Sequence, residues 1–106
     1  MQQIDRSSRE FVEAAVKASV QGEPYNPTGD TVEFAFTPVS GRPVTWYAGG
    51  WDGTGPISGS SAYRAQVLVG PGSTGPTLTP GMYTVFIRIT DNPEQPVINV
   101  GQLAVT

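Results

Sequence analysis

Apolar residues in this chain recur at every second position, in runs cut apart by blocks of glycine and proline, and that pattern leaves few folds open. Residues 11–20 set Val12, Ala14, Val16, Ala18 and Val20 on one side and Glu13, Ala15, Lys17 and Ser19 on the other. Alanine, glutamate and lysine also suit a helix, but sustained alternation is the mark of a half-buried strand. Residues 31–37 repeat the pattern with Val32, Phe34 and Phe36, and residues 61–69 with Tyr63, Ala65, Val67 and Val69. A shorter strand is expected from Val44 through Trp46 and Ala48, losing order at Gly49 and Gly50. Tyr83, Val85, Ile87 and Ile89 share one face of the next strand. The last, Val97 to Val105, alternates Val97, Asn99, Gly101, Leu103 and Val105 against Ile98, Val100, Gln102 and Ala104. Both faces of this last strand carry apolar side chains, so something other than solvent is expected to cover part of the second face.

The 13 glycines and 10 prolines, more than a fifth of the 106 residues, sit between these runs and not within a periodic repeat. They mark turns at 21–30, 38–43, 51–59, 70–76, 80–81 and 91–96. No connection offers a crossover helix, which disfavours a parallel sheet. Six or seven short strands then predict an all-β antiparallel sandwich, with a hairpin-rich barrel as the alternative. The length suits one domain, over residues 11–106. Residues 1–10 are polar apart from Ile4 and read as an arm that a neighbouring chain would order; the alternative is a cap over the chain's own sandwich.

Charge excludes some partners. Six Lys and Arg stand against nine Asp and Glu, a net charge of −3, and no two basic residues are adjacent, so a phosphate backbone is not an expected partner. Arg6 and Arg9 suit an acidic neighbour or solvent better than nucleic acid. With no cysteine there is neither disulfide nor thiolate chemistry, which fits assembly in a reducing cytoplasm. The first residues carry no secretory pattern, and no apolar run reaches membrane-spanning length. No cofactor and no membrane partner are expected.

Two resemblances refine this reading. Trp46, within Val44-Thr45-Trp46-Tyr47, and Tyr83, after Pro80-Gly81, resemble the core tryptophan and the corner tyrosine of immunoglobulin-like sandwiches. Val85 falls where an antibody-type domain has its second cysteine, so the resemblance implies an immunoglobulin-like antiparallel β-sandwich without a disulfide. Its expected core includes Phe34, Trp46, Tyr83 and Val85. Ile4 to Glu10, Thr45 to Ala48 and Ile89 to Glu94 resemble segments of small proteins from the structural gene blocks of tailed phages of actinobacteria. That implies a structural protein of the virion, made in the host cytoplasm, whose partners are other virion proteins and copies of itself.

Catalytic chemistry finds little support in the residues, and the chain is not expected to be an enzyme. There is no histidine, and the carboxylates are scattered. Asp91 and Glu94 share a loop and could form an acid pair, but an Asp-Asn-Pro turn explains them better. Asp30, Asp52, Asp91 and Glu94 suit calcium chemically without the spacing of a calcium loop. Lys17, the sole lysine, is expected on an outward face, without the burial that would activate it. Trp51 follows two glycines and either closes the end of the sandwich or, with Tyr47, Asp52 and Tyr25, offers a stacking platform for a sugar or a protein pocket. The expected interaction residues are Ile4, Arg6, Arg9, Tyr47, Trp51 and Asp52. A carbohydrate-binding or adhesion module is the alternative to a virion role.

Overall fold

A computed structural model describes residues 2–20, 23–38, 41–43, 45–53, 55–57, 62–73, 75–90 and 95–106, with backbone alone at 18–20 and 23–25. The protein is all-β: among the described residues the only helical element is a single 3-10 turn, Pro27–Gly29. Its strands are β1 (Gln2–Ile4), β2 (Glu10–Val16), β3 (Ala18–Val20), β4 (Glu23–Tyr25), β5 (Thr31–Pro38), β6 (Tyr47–Ala48), β7 (Gly50–Trp51), β8 (Tyr63–Val69), β9 (Gly81–Thr90) and β10 (Val97–Val105). A five-stranded sheet has the order β1-β10-β9-β5-β6, a three-stranded sheet has the order β2-β8-β7, and β3 and β4 form a hairpin of their own. All pairs are antiparallel except β1 with β10.

The two larger sheets face each other across one apolar core. Val12, Ala14 and Val16 of β2 and Ala65, Val67 and Val69 of β8 meet Val32 and Phe34 of β5, Val85, Ile87 and Ile89 of β9, and Leu103 and Val105 of β10. Period-two placement of these residues is what buries one face of each strand. Cross-strand pairs such as Phe34 with Ile87 and Val32 with Ile89 hold the central ladder.

One strand passes between the sheets. Tyr47–Ala48 pairs with β5, and two residues later Gly50–Trp51 pairs with β8. Gly49 is the corner: its N–H donates to the Val32 carbonyl at 2.9 Å, and a Cβ there would lie 2.8 Å from the Phe34 ring.

The last strand contains a β-bulge between Asn99 and Gly101, where Asn99 Oδ1 accepts the Gly101 N–H at 3.0 Å and Gly101 adopts φ +129°. The extra residue shifts the alternation. Ile98 therefore shares the Ile87 side of the sheet, as does Leu103 through Tyr83, although uninterrupted alternation would put Ile98 and Leu103 on opposite faces.

Two expectations are corrected. Residues 1–10 do not stand apart as an arm: β1 completes the large sheet, and Ile4 is only 5% exposed within the core. The polar residues around Ile4 concealed a three-residue strand whose stability comes from its partner and not from its own composition. Trp46 is not a core anchor. It is half-buried on the outer side of the large sheet, with the Arg88 guanidinium 4.4 Å from its ring centroid. The register of β5 with β9 explains this, because Arg88 and its neighbour Glu33 lie opposite the core-facing Phe34 and Ile87. The segment carrying Trp46 folds back over that face, with the Gly41 N–H bound to the Pro38 carbonyl at 2.7 Å. The chain thus covers part of the outer face of β5 and β9 itself.

Candidate functional site

Trp51 stands at one end of the sandwich, held by the β7–β8 pairing opposite Ala65. Its Nε1–H donates to the Asp30 carbonyl at 3.0 Å, and part of the ring packs on the core. The ring therefore closes the sandwich end and also forms a wall of a cleft of about 160 Å³ lined by Asn26, Thr28, Trp51, Asp52, Gly53, Gly55 and Tyr63. Asn26 caps the 3-10 turn: its Oδ1 accepts from the Thr28 N–H at 2.9 Å and the Thr28 hydroxyl at 2.6 Å. The polar rim of the cleft is thus held rigid by its own hydrogen bonds. Of the expected platform, Trp51 and Asp52 share this cleft and Tyr47 does not. Tyr47 is half-buried in β6 opposite Phe34, and the side chain of Tyr25 lies outside the described residues. Tyr63 takes the second aromatic place; its signal was the start of the β8 alternation, read for burial alone.

The N-terminal candidates divide between inside and outside. Ile4 faces the core, whereas Arg6 and Arg9 are exposed on the connection to β2. The Arg6 N–H donates to the Thr106 carbonyl at 2.9 Å, and the Arg9 guanidinium lies beside Gly72. Just before them, Asp5 accepts from the hydroxyl and the N–H of Ser7, and these bonds hold its carboxyl below the usual carboxylate range. Two exposed arginines on a tied-down turn do not form a basic surface.

Elsewhere a half-buried ion pair joins the central strands. Arg88 donates to Glu33 Oε1 through Nε at 3.0 Å and Nη2 at 2.8 Å while stacking on Trp46, a layer that braces β5 against β9. Lys17 is exposed. Asp91 and Glu94 lie outside the described residues, and among those described no group of three or more acidic side chains stands close enough to hold a metal.

The large exposed apolar side chains are ones that alternation alone did not single out. Phe11, Met82, Val97 and Ile98 are 48%, 41%, 50% and 41% exposed. Phe11 walls a shallow groove of about 310 Å³ on the outer face of the small sheet, floored by Gly49 and Gly50. Val97 and Ile98 begin β10, near an open cleft of about 240 Å³ between β2 and β10 lined by Gln2, Val12, Glu13, Val85 and Val100 to Leu103. Their exposure follows from the short β1, which pairs only with Leu103 to Val105. No protein-family model, no curated protein and no solved structure matches this chain.

Proposed function

We propose that this chain is a structural or interaction protein of a tailed-phage virion, a capsid decoration, head-tail connector or tail accessory subunit, and that it works by contact and not by catalysis. The observation that carries the reading is the start of β10, where Val97 and Ile98 expose apolar surface on a strand whose outer side β1 leaves open. Exposed apolar side chains clustered on an open strand are what a binding partner covers. The virion setting, with synthesis in the host cytoplasm, is proposed from the resemblance read in the sequence of residues 4–10, 45–48 and 89–94. Mass spectrometry of purified particles should find the protein at fixed copy number; its absence from particles would overturn the reading.

The scaffold for this role is read as an immunoglobulin-like sandwich. Support comes from Tyr83, whose hydroxyl donates to the Thr79 carbonyl at 2.8 Å, the bond a corner tyrosine makes back to its own upstream backbone. Phe34, fully buried, occupies the core that Trp46 leaves.

A second reading, a carbohydrate-binding module, is favoured by the pairing of Trp51 with Tyr63 in one cleft beside Asn26, Thr28 and Asp52. Aromatic walls with a fixed polar rim suit a sugar ring. A glycan array in which binding is lost in both Trp51→Ala and Tyr63→Ala, with both variants folded, would favour it over the virion reading. An array blank for the native protein would remove it.

A further inference from the structure

We propose that the open edge of β10 pairs with the same edge of a second copy of this chain, about a two-fold axis through Ile98, joining the two large sheets into one. The inference rests on the reading of the chain as an interaction protein and names the partner of that surface.

Backbone direction fixes which groups are on offer. In an antiparallel ladder alternate residues turn both their N–H and C=O to the same neighbour. The Ile89 N–H donates to the Pro96 carbonyl at 3.2 Å, so Pro96 and Ile98 face β9. Val97 and Asn99 then turn their backbone groups to the outer edge. Further along, that edge is taken: the Thr106 N–H donates to the Ile4 carbonyl at 2.9 Å, and β1 pairs with Leu103 to Val105. Among the described residues no strand pairs the edge at Val97 to Asn99.

The edge is also bounded, which limits what can occupy it. Toward its C-terminal end the bulge bends the strand, with the Gly101 N–H bound to Asn99 Oδ1 at 3.0 Å, and beyond it β1 occupies the edge from Leu103 onward. A long guest strand would run into both features. Two copies in antiparallel register meet over the short stretch alone, with Val97 of each opposite Asn99 of the other and the two Ile98 side chains face to face. Val97 and Asn99 then exchange their backbone bonds, twice by symmetry. Ile98, 41% exposed on the core side, meets its own copy, while Val97, 50% exposed on the other side, is covered by the neighbouring strand.

Charge favours a like partner here. The chain carries a net charge of −3, so two copies repel each other weakly as wholes, but residues 95–106 contain no ionisable side chain. The nearest cross-strand cation, Arg88 opposite Val97, is already bound to Glu33 at 2.8 Å. The seam is neutral and apolar, and it asks for no oppositely charged partner.

Sedimentation equilibrium of the full chain should give twice the 11.2 kDa monomer mass. Ile98→Lys should keep the native spectrum and melting temperature, since the side chain is exposed, and weaken the dimer by at least about tenfold by placing like charges on the axis. The chain has no cysteine, so Ile98→Cys introduces a lone thiol. The two copies' Cα atoms at this non-hydrogen-bonded position would stand about 4.5 Å apart, within disulfide reach. It should cross-link under mild oxidation, whereas Phe11→Cys, on the outer face of the small sheet, should not. A monomeric native chain, a dimer unchanged by Ile98→Lys, or equal cross-linking of the two cysteine variants would overturn the pairing. A monomer that is nonetheless found in particles removes the pairing and leaves the virion reading standing; a dimer absent from particles does the reverse.

Discussion

Gly49 shows how much a single position decides. It lies where the chain leaves one sheet for the other, close enough to Phe34 that a methyl group would press on the aromatic ring at 2.8 Å and on the Gln66 carbonyl at 3.0 Å. Phe34 is fully buried, so a displaced ring has to push into packed neighbours. Gly49→Ala is therefore expected to destabilise the protein by about 1–3 kcal/mol, read from chemical denaturation. Gly50→Ala, with open space where its Cβ would be, is the control and should stay near the native value. Equal midpoints for the two variants would show that the corner tolerates a side chain. Trp46 teaches the complementary lesson. A large aromatic in a strand-like context reads as core, but only the register tells which face it takes, and here it covers an ion pair.

At the scale of elements, Tyr83 fastens the start of β9 to the turn before it through the bond to the Thr79 carbonyl. Tyr83→Phe should cost about 1 kcal/mol, with hydrogen exchange faster at residues 79–84 than across the rest of β9. Uniform loss of protection along β9 would mean that the hydroxyl supports the whole sheet and not its corner. β2 and β8 were legible in the sequence because solvent on one side and core on the other enforce a period of two; β5 and β9 were legible from Val32, Phe34, Val85, Ile87 and Ile89, although Ala35, Thr37 and Thr84 on their other face are buried as well. The bounds of β10 were legible as well, yet its faces were not, because the bulge after Asn99 inserts a residue that alternation cannot register. The short pairings were hidden too: β1, β6 and β7 have two or three residues each and are defined by partners distant in sequence. The candidate surfaces inherit these limits. Trp51 stood out by type and position, Tyr63 emerged only with the β7–β8 register, and Val97 and Ile98 became notable only once β1 proved too short to cover them.

At the scale of the whole molecule, residues 2–4 and 103–105, far apart in sequence, close one sheet together. Ile4 packs in the same cluster as Val105 and Leu103, so removing its side chain opens a cavity between the first and last strands. Ile4→Ala should lower stability by about 2–5 kcal/mol, measured as a shift in the unfolding midpoint. A change below about 0.5 kcal/mol, the range of ordinary surface substitutions, would mean that β1 contributes nothing to the folded state.

The parallel pairing of β1 with β10 also decides how the molecule bears load. Tension applied between residues 2 and 106 pulls the two strands past each other along their length, so their bonds must yield together. Residues 81 and 105 face each other across the antiparallel β9–β10 pair, and tension applied between residues 81 and 106 peels that ladder open one bond at a time. Force spectroscopy should find the first geometry the stronger.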